Sequence, residues 1–310
     1  MPPRIIGGIF YSRLFAALCV AIADTDVLGK QWSRILNPNT TGKARVVDDN
    51  ARRGGEPPRT SGKGARKSWS GPGRARPRQP ESSADGGGGR RDEPALPPDT
   101  DPRRLSPEIR RELTTLDRVN AEMVAKHLVA AGELLDDDPE AALAHARAAR
   151  ARSGRIAAVR EAVGIAAYHC GDWAQALAEL RAARRMGSKS VLLPLIADCE
   201  RGVGRPERAV ELARSAEAAQ LAGDDADEMR IVAAGARSDL GQLDQALATL
   251  STPPIDPART GQTAARLCYA YADTLLALGR EEEAVQWFLR AAAADVDGVT
   301  DAEDRVAELA

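Results

Sequence analysis

The sequence predicts an all-α protein: a solenoid of about five helical hairpins plus capping helices, preceded by a long disordered N-terminal region. Two observations predict it. The first is a signature, Gly-x-x-x-x-Ala followed by a branched aliphatic. It recurs as Gly171…Ala176-Leu177, Gly204…Ala209-Val210, Gly241…Ala246-Leu247 and Gly279…Ala284-Val285. Asp137…Ala142-Leu143 is a fifth, degenerate copy. The alanines stand 34, 33, 37 and 38 residues apart. A fixed period near 34 residues marks stacked helical hairpins, each burying its apolar seam against the next.

The second observation is a division in composition. Residues 1–42 are partly apolar, residues 43–104 are Gly-, Pro- and Arg-rich, and residues 105–310 are rich in Ala, Leu, Arg, Glu and Asp. Only the last part can build a core, and a domain of that size buries roughly 70% of its unfolded surface. Charge follows the same division. Residues 43–104 hold 15 Lys or Arg against 9 Asp or Glu, while residues 105–310 hold 24 against 34. A basic arm therefore adjoins an acidic body.

Residues 1–23 have the form of a secretory signal. Arg4 and Arg13 supply charge, Leu14 to Ala23 is apolar, and Ala21-Ile22-Ala23 resembles a cleavage site. The apolar run is shorter than the roughly 20 residues that cross a bilayer, so no membrane span is expected. The preferred reading is an inert extension or a start upstream of the true one, with Val46 or Val47 as the initiator. The alternatives are a working signal, with a mature N-terminus at Asp24, and an isolated short anchor helix. Cys19, Cys170, Cys199 and Cys268 form no CxxC and no zinc spacing, so thiols in a reducing, cytoplasmic compartment are expected.

The arm from Lys43 to Arg78 carries 11 basic and 3 acidic residues together with Trp69. With almost no aliphatics it cannot offset chain entropy, and it is expected to stay disordered through residue 104. Its Arg/Gly content would also suit phosphate pairing and base stacking.

The body opens with Ser106 as N-cap, Pro107 at the first helical position and Glu108 in the first turn, starting a capping helix that runs to about Val119. Five hairpins follow, near 123–156, 157–189, 190–226, 227–264 and 265–298. Each signature Gly ends a first helix in the left-handed conformation. Asp172, Pro206 and Asp244 begin second helices, and Asp136 to Glu140 does this in the first hairpin without a Gly. The signature Ala is small because two helices cross there. Leu180 and Phe288 are expected as bulky core positions, and Ala183, Ala216 and Ala291 as small contact positions. Gly202-Val203-Gly204 is read as a hairpin turn, not a phosphate loop, because it follows a helix and lacks a third Gly. Asp224, Asp225, Asp227 and Glu228 are read as favouring a helix start over a cation site. Asp301 to Leu309 reads as a terminal cap.

These residues resemble the tetratricopeptide repeat family, over about two-thirds of the chain. Small residues at the family's position 8 are matched by Ala130, Gly164, Ala197, Ala234 and Ala272, and position 27 by Ala149, Ala183, Ala216, Pro253 and Ala291. The family's position-4 Trp is replaced by Lys126, Arg160, Leu193, Arg230 and Cys268, and its position-32 Pro is missing, so these repeats are divergent. The composition is similar to that of actinobacterial proteins with this layout. The resemblance implies a right-handed solenoid whose first helices line a concave face. Mapped onto this sequence, that face holds His127, Glu161, Tyr168, His169, Asp198, Arg201, Glu228, Asp239, Arg266, Tyr269 and Asp273. The set would suit a protein or peptide partner. The Lys/Asn/Arg clamp that holds a C-terminal carboxylate in some members is absent.

A second feature is a basic stretch on second helices, with Arg147, Arg150, Arg181, Arg184 and Arg185 as its principal members. It would receive an acidic partner, RNA, or the acidic half of a second copy in a homodimer. No catalytic, metal or cofactor constellation is legible. His127, His145 and His169 fall in no ligand spacing, and no nucleophile motif such as GxSxG occurs. The expected function is a non-enzymatic protein-interaction scaffold. The alternatives are an RNA- or ribosome-associated factor using the arm, and a secreted or envelope repeat protein.

Overall fold

The structure, a computed structural model, describes residues 93–188 and 191–309. The extension 1–42, the arm up to residue 92 with its Trp69, Cys19 and Lys189 lie outside the described residues. Among the described residues the chain forms twelve α-helices. They are α1 (Pro107–Leu113), α2 (Arg118–Leu134), α3 (Pro139–Arg152), α4 (Ala157–His169), α5 (Trp173–Arg185) and α6 (Leu193–Gly202). Then come α7 (Pro206–Ala213), α8 (Asp224–Asp239), α9 (Leu243–Leu250), α10 (Gln262–Ala277), α11 (Glu281–Ala294) and α12 (Ala302–Leu309). Helices α2 to α11 pack as five sequential pairs, like tetratricopeptide repeats, and α1 and α12 lie at the two ends.

The pairing follows from the turns. Gly171, Gly204, Gly241 and Gly279 have φ between +72° and +77°, the left-handed region that an L-side chain rarely enters. Each closes its first helix with a bond reaching back five residues. Asp172 N–H donates to the Ala167 carbonyl at 2.9 Å, Arg205 to Glu200 at 2.8 Å, Gln242 to Arg237 at 2.8 Å and Arg280 to Leu275 at 3.0 Å. This geometry satisfies carbonyls that would otherwise end the helix unpaired. The second helices start on the expected residues. The Asp138 carboxylate accepts from Ala141 N–H and that of Asp172 from Gln175 N–H, while Pro206 occupies the first turn of α7. Ala176, Ala209, Ala246 and Ala284 are fully buried, as are Leu180, Phe288, Ala183 and Ala291.

Three local expectations are corrected. Helix α1 stops at Leu113, not near Val119. The Thr114 and Thr115 hydroxyls donate back to the carbonyls of Arg111 and Glu112, and Asp117 then caps a new helix. Ala216 is no contact position. Helix α7 ends at Ala213, Ser215 Oγ accepts from Ala218 N–H to hold a 3-10 turn, and Ala216 is exposed. Residues 93–104, placed in the arm by composition, carry ordered structure. Asp101 caps the 3-10 turn Pro102–Arg104, Arg104 pairs with Glu133 of α2, and Leu105 is fully buried. One buried leucine and several ion pairs anchor a segment that low hydropathy alone assigned to disorder.

The core is unequal along the array. One connected apolar cluster runs from Leu105 through α1 to α5 and reaches Leu195, Ile196 and Cys199 of α6. Beyond it the hairpins are joined by smaller clusters. One is centred on Met229 and Val232, another on Ile231, Leu250 and Leu267, and a third on Tyr269, Leu275 and Phe288.

Candidate functional site

Close packing of α4 on α5 and of α6 on α5 sets where the inner helices lie. A Cβ at Gly164 would stand 2.6 Å from Leu180 Cγ, so only glycine permits that approach. Gly202 does the same against the Trp173 ring, where a Cβ would come to 2.5 Å. The two glycines of Gly202-Val203-Gly204 thus have different tasks: one admits an indole, and the other turns the chain.

The first helices of hairpins three, four and five then form one side of a cleft of about 160 Å³. Asp198 and Arg201 come from α6, Ile231, Val232, Gly235, Ser238 and Asp239 from α8, and Arg266, Ala270, Asp273 and Thr274 from α10. Leu250 is its one contribution from a second helix. Apolar Ile231, Val232, Leu250 and Ala270 share the cleft with the charged Asp198, Arg201, Asp239, Arg266 and Asp273.

Polar rungs connect successive hairpins along this face. Tyr168 Oη donates to Asp198 Oδ2 at 2.5 Å, from the second hairpin to the third. Arg201 Nη1 meets Asp198 Oδ1 at 2.7 Å and its Nε meets Asp239 Oδ2 at 2.8 Å, from the third to the fourth. Arg266 Nη1 donates to Glu228 Oε1 at 2.8 Å, from the fifth to the fourth. Arg305 of α12 closes the series 4.0 Å from Asp273. Burial works against the charge on Arg201, but Asp198 and Asp239 outweigh it and hold its pKa above the ordinary value. Burial raises the Glu228 carboxyl to about 7, against the pull of Arg266. Burial and the Asp301 carboxylate raise the Tyr269 phenol.

The eleven residues assigned to the inner face by sequence fall into two groups. Asp198, Arg201, Asp239, Arg266 and Asp273 line the cleft, and of these Asp239 and Asp273 are the most open, at 25% and 35% exposure. Glu228 lies buried beneath Arg266. Tyr168 is buried, its ring edge-on to Trp173 at 5.0 Å. Tyr269 packs edge-on against Phe288 at 5.1 Å. Glu161 is buried and accepts from Ser188 Oγ at 2.8 Å. His169 is half-buried, and desolvation lowers its pKa against the opposing Asp136. His127 does not face the cleft. It is 1% exposed and turned toward His145 on α3.

The basic stretch is largely occupied by acids of neighbouring helices. Arg150 and Arg160 converge on the buried Glu179, and Arg181 and Arg205 on the buried Glu200. Arg184 pairs with Glu217, and Arg147 lies 3.7 Å from Asp172. Arg185 is exposed at the end of α5. The acidic run at the start of α8 is used similarly: Arg230 and Arg259 both pair with Asp227, and Arg259 also pairs with Asp224. Among the described residues no group of three His, Cys, Asp or Glu side chains could hold a metal ion, and no helix is long and apolar enough to cross a membrane.

Sequence reasoning missed Gly235 as part of the cleft. A Cβ there would stand 2.7 Å from Arg201 Cζ, so the missing side chain is what lets that guanidinium lie across α8. The signal was present: Asp198, Gly235 and Asp273 each follow a position-8 alanine, and only the middle hairpin replaces the carboxylate with nothing. Residues 196–300, about a third of the chain, match the family described as Tetratrico peptide repeat. The matched segment covers nearly all of hairpins three to five, the same helices that build the cleft. No curated protein matches the chain at a significant level.

Proposed function

We propose, on the premise that residues 196–300 are a tetratricopeptide segment, that the chain is a non-enzymatic scaffold that holds an extended segment of a partner protein in the α6–α8–α10 cleft. The observation that carries this reading is the cleft itself, lined by apolar and charged side chains and assembled from the first helices of three successive hairpins. The partner segment is basic. Residues 193–309 hold 11 Lys or Arg against 22 Asp or Glu. Both cleft arginines face carboxylates, and Asp239 and Asp273 are the most solvent-exposed charges of the rim. A guanidinium or ammonium seated between them gains charge complementarity and an apolar bed for its stem.

The test is capture by the full chain and by an Asp239→Arg/Asp273→Arg variant, beside a control variant Glu211→Arg on α7. Loss of partner by the Asp239→Arg/Asp273→Arg variant and retention by Glu211→Arg supports the reading. Equal capture by all three removes the cleft from the function. The free thiols Cys170, Cys199 and Cys268 support a reducing, cytoplasmic location. The RNA-associated alternative rests on the arm, since Arg147, Arg150, Arg181 and Arg184 already face acids or amides. The secreted alternative and the homodimer rest on nothing among the described residues.

A further inference from the structure

We infer, on the premise that the cleft holds an extended basic segment, that the guest is a polyproline-II stretch with two arginines or lysines three residues apart. One is seated at Asp239 of α8 and the other at Asp273 of α10. The premise supplies only the sign of the guest's charge; its conformation and spacing are new.

The spacing comes from the register of the first helices. Glu228 of α8 and Arg266 of α10 are 38 residues apart and meet at 2.8 Å. Ala234 and Ala272, the position-8 residues of the same two helices, are also 38 apart. Equivalent positions of α8 and α10 therefore stand level, side by side. The level partner of Asp273 is Gly235, and Asp239 lies four residues further along α8. Four residues of helix place the two aspartates about 6 Å apart along the axes. Packed helix axes lie about 8–10 Å apart. The two carboxylates therefore rise from points separated diagonally by about 10–12 Å.

Both carboxylates line the one cleft, and both are partly open to solvent, at 25% and 35% exposure. Asp239 already meets Arg201, and Arg305 lies 4.0 Å from Asp273. A carboxylate has lone pairs for further donors, so a guest cation can share each acid with the arginine beside it.

One guest side chain cannot serve two acids that far apart, so two are needed. In a β-strand the side chains of one face recur at about 6.7 and 13 Å. The shorter interval leaves one cation off its acid and beside Arg201 or Arg266, which line the same cleft. The longer one turns the middle residue of the strand down into the cleft, where Arg201 lies across Gly235. In polyproline II every third side chain shares a face, at about 9.3 Å, and the two residues between turn outward. Two long basic side chains that splay slightly then reach both acids. Such a segment also loses little freedom on binding, because its conformation is set beforehand.

The test uses the full chain and two end-blocked, fluorescently labelled octapeptides of the same composition and charge. Pro-Pro-Arg-Pro-Pro-Arg-Pro-Pro has the inferred spacing, and Pro-Pro-Arg-Pro-Arg-Pro-Pro-Pro has its arginines two apart. General attraction to an acidic surface binds the two equally. The first is expected to bind about tenfold tighter by fluorescence anisotropy, the gain of one charge-assisted pair. Asp239→Asn and Asp273→Asn should each bring it down to the level of the second, while Glu211→Gln on α7 leaves the difference intact. The wild-type comparison stands even where a variant fails to fold. Equal affinities that fall together in the two Asn variants overturn the spacing and leave the cleft as the site. Affinities untouched by either Asn variant overturn the spacing and the cleft together. Binding of neither peptide also overturns the spacing, and capture of the partner by the Asp239→Arg/Asp273→Arg variant then decides the cleft on its own.

Discussion

Arg201 lies across Gly235 so closely that a β-carbon on the glycine would stand 2.7 Å from the guanidinium carbon. The contact joins the third hairpin to the fourth and places Arg201 between Asp198 and Asp239. Gly235→Ala therefore sets two effects against each other. Alanine favours the α8 helix by up to about 1 kcal/mol, while Arg201 must swing off two carboxylates. Because the clashing atoms end a flexible side chain, the net change in stability is expected to stay within about 1 kcal/mol. Arg201→Ala should cost more in the wild type than in the Gly235→Ala background. Urea denaturation of the four chains of that double-mutant cycle gives the answer.

Gly164→Ala is the contrasting case. The added carbon would meet Leu180 at 2.6 and 2.7 Å and the Leu180 backbone nitrogen at 3.2 Å, inside the core. No flexible end can move aside, so a loss of about 1–3 kcal/mol is expected. Leu180→Ala on its own should cost about 2–5 kcal/mol. The double variant should cost less than the two together, because each change makes room for the other.

Arg266→Met should destabilise more at pH 8 than at pH 5.5. With the guanidinium gone, Glu228 must be buried protonated, and its carboxyl already titrates at about 7. Losing Arg266 raises that value further. The folded state then binds more protons than the unfolded one, so stability falls as pH rises, by up to about 1.4 kcal/mol per pH unit. Glu228→Gln/Arg266→Met should remove the slope and recover most of the loss, since a buried ion pair is often replaceable by neutral groups. Thermal melts at the two pH values distinguish the variants.

Arg150→Gln and Arg181→Gln should each cost about 1 kcal/mol, because Glu179 and Glu200 are buried and each keeps a second arginine. Arg184→Gln, from an exposed pair, should fall within about 0.5 kcal/mol. None of the three should alter retention on an RNA column, since these arginines already face carboxylates. A drop in retention on substituting any of them would restore the nucleic-acid reading.

The helices were legible in the sequence because their causes are local. A left-handed turn needs Gly171, Gly204, Gly241 or Gly279, a helix start needs Asp138 or Asp172, and both are decided within five residues. The end of α9 has a local cause too, since prolines follow Leu250, and Pro253, matched above to position 27, lies beyond that helix. What the sequence withheld was long-range register. Arg201 and Asp239 are 38 residues apart, as are Glu228 and Arg266, while Tyr168 and Asp198 are 30 apart. With connectors that vary in length, no fixed offset tells which charge meets which. For the same reason the inner-face set contained several residues that serve as struts, and the basic stretch looked more available than it is. His127 and His145 are 18 apart and meet only because α2 and α3 cross at that level.

The unequal division of the core has a mechanical consequence. From α1 to α6 a single body of interlocked aliphatic side chains resists shear, and the entry end of the array is stiff. Past α6 the hairpins are strung on small greasy contacts bridged by Arg201, Arg266 and Arg305, which can exchange one carboxylate oxygen for another at little expense. Local opening is therefore expected to come more easily past α6 than before it, without the entry end following.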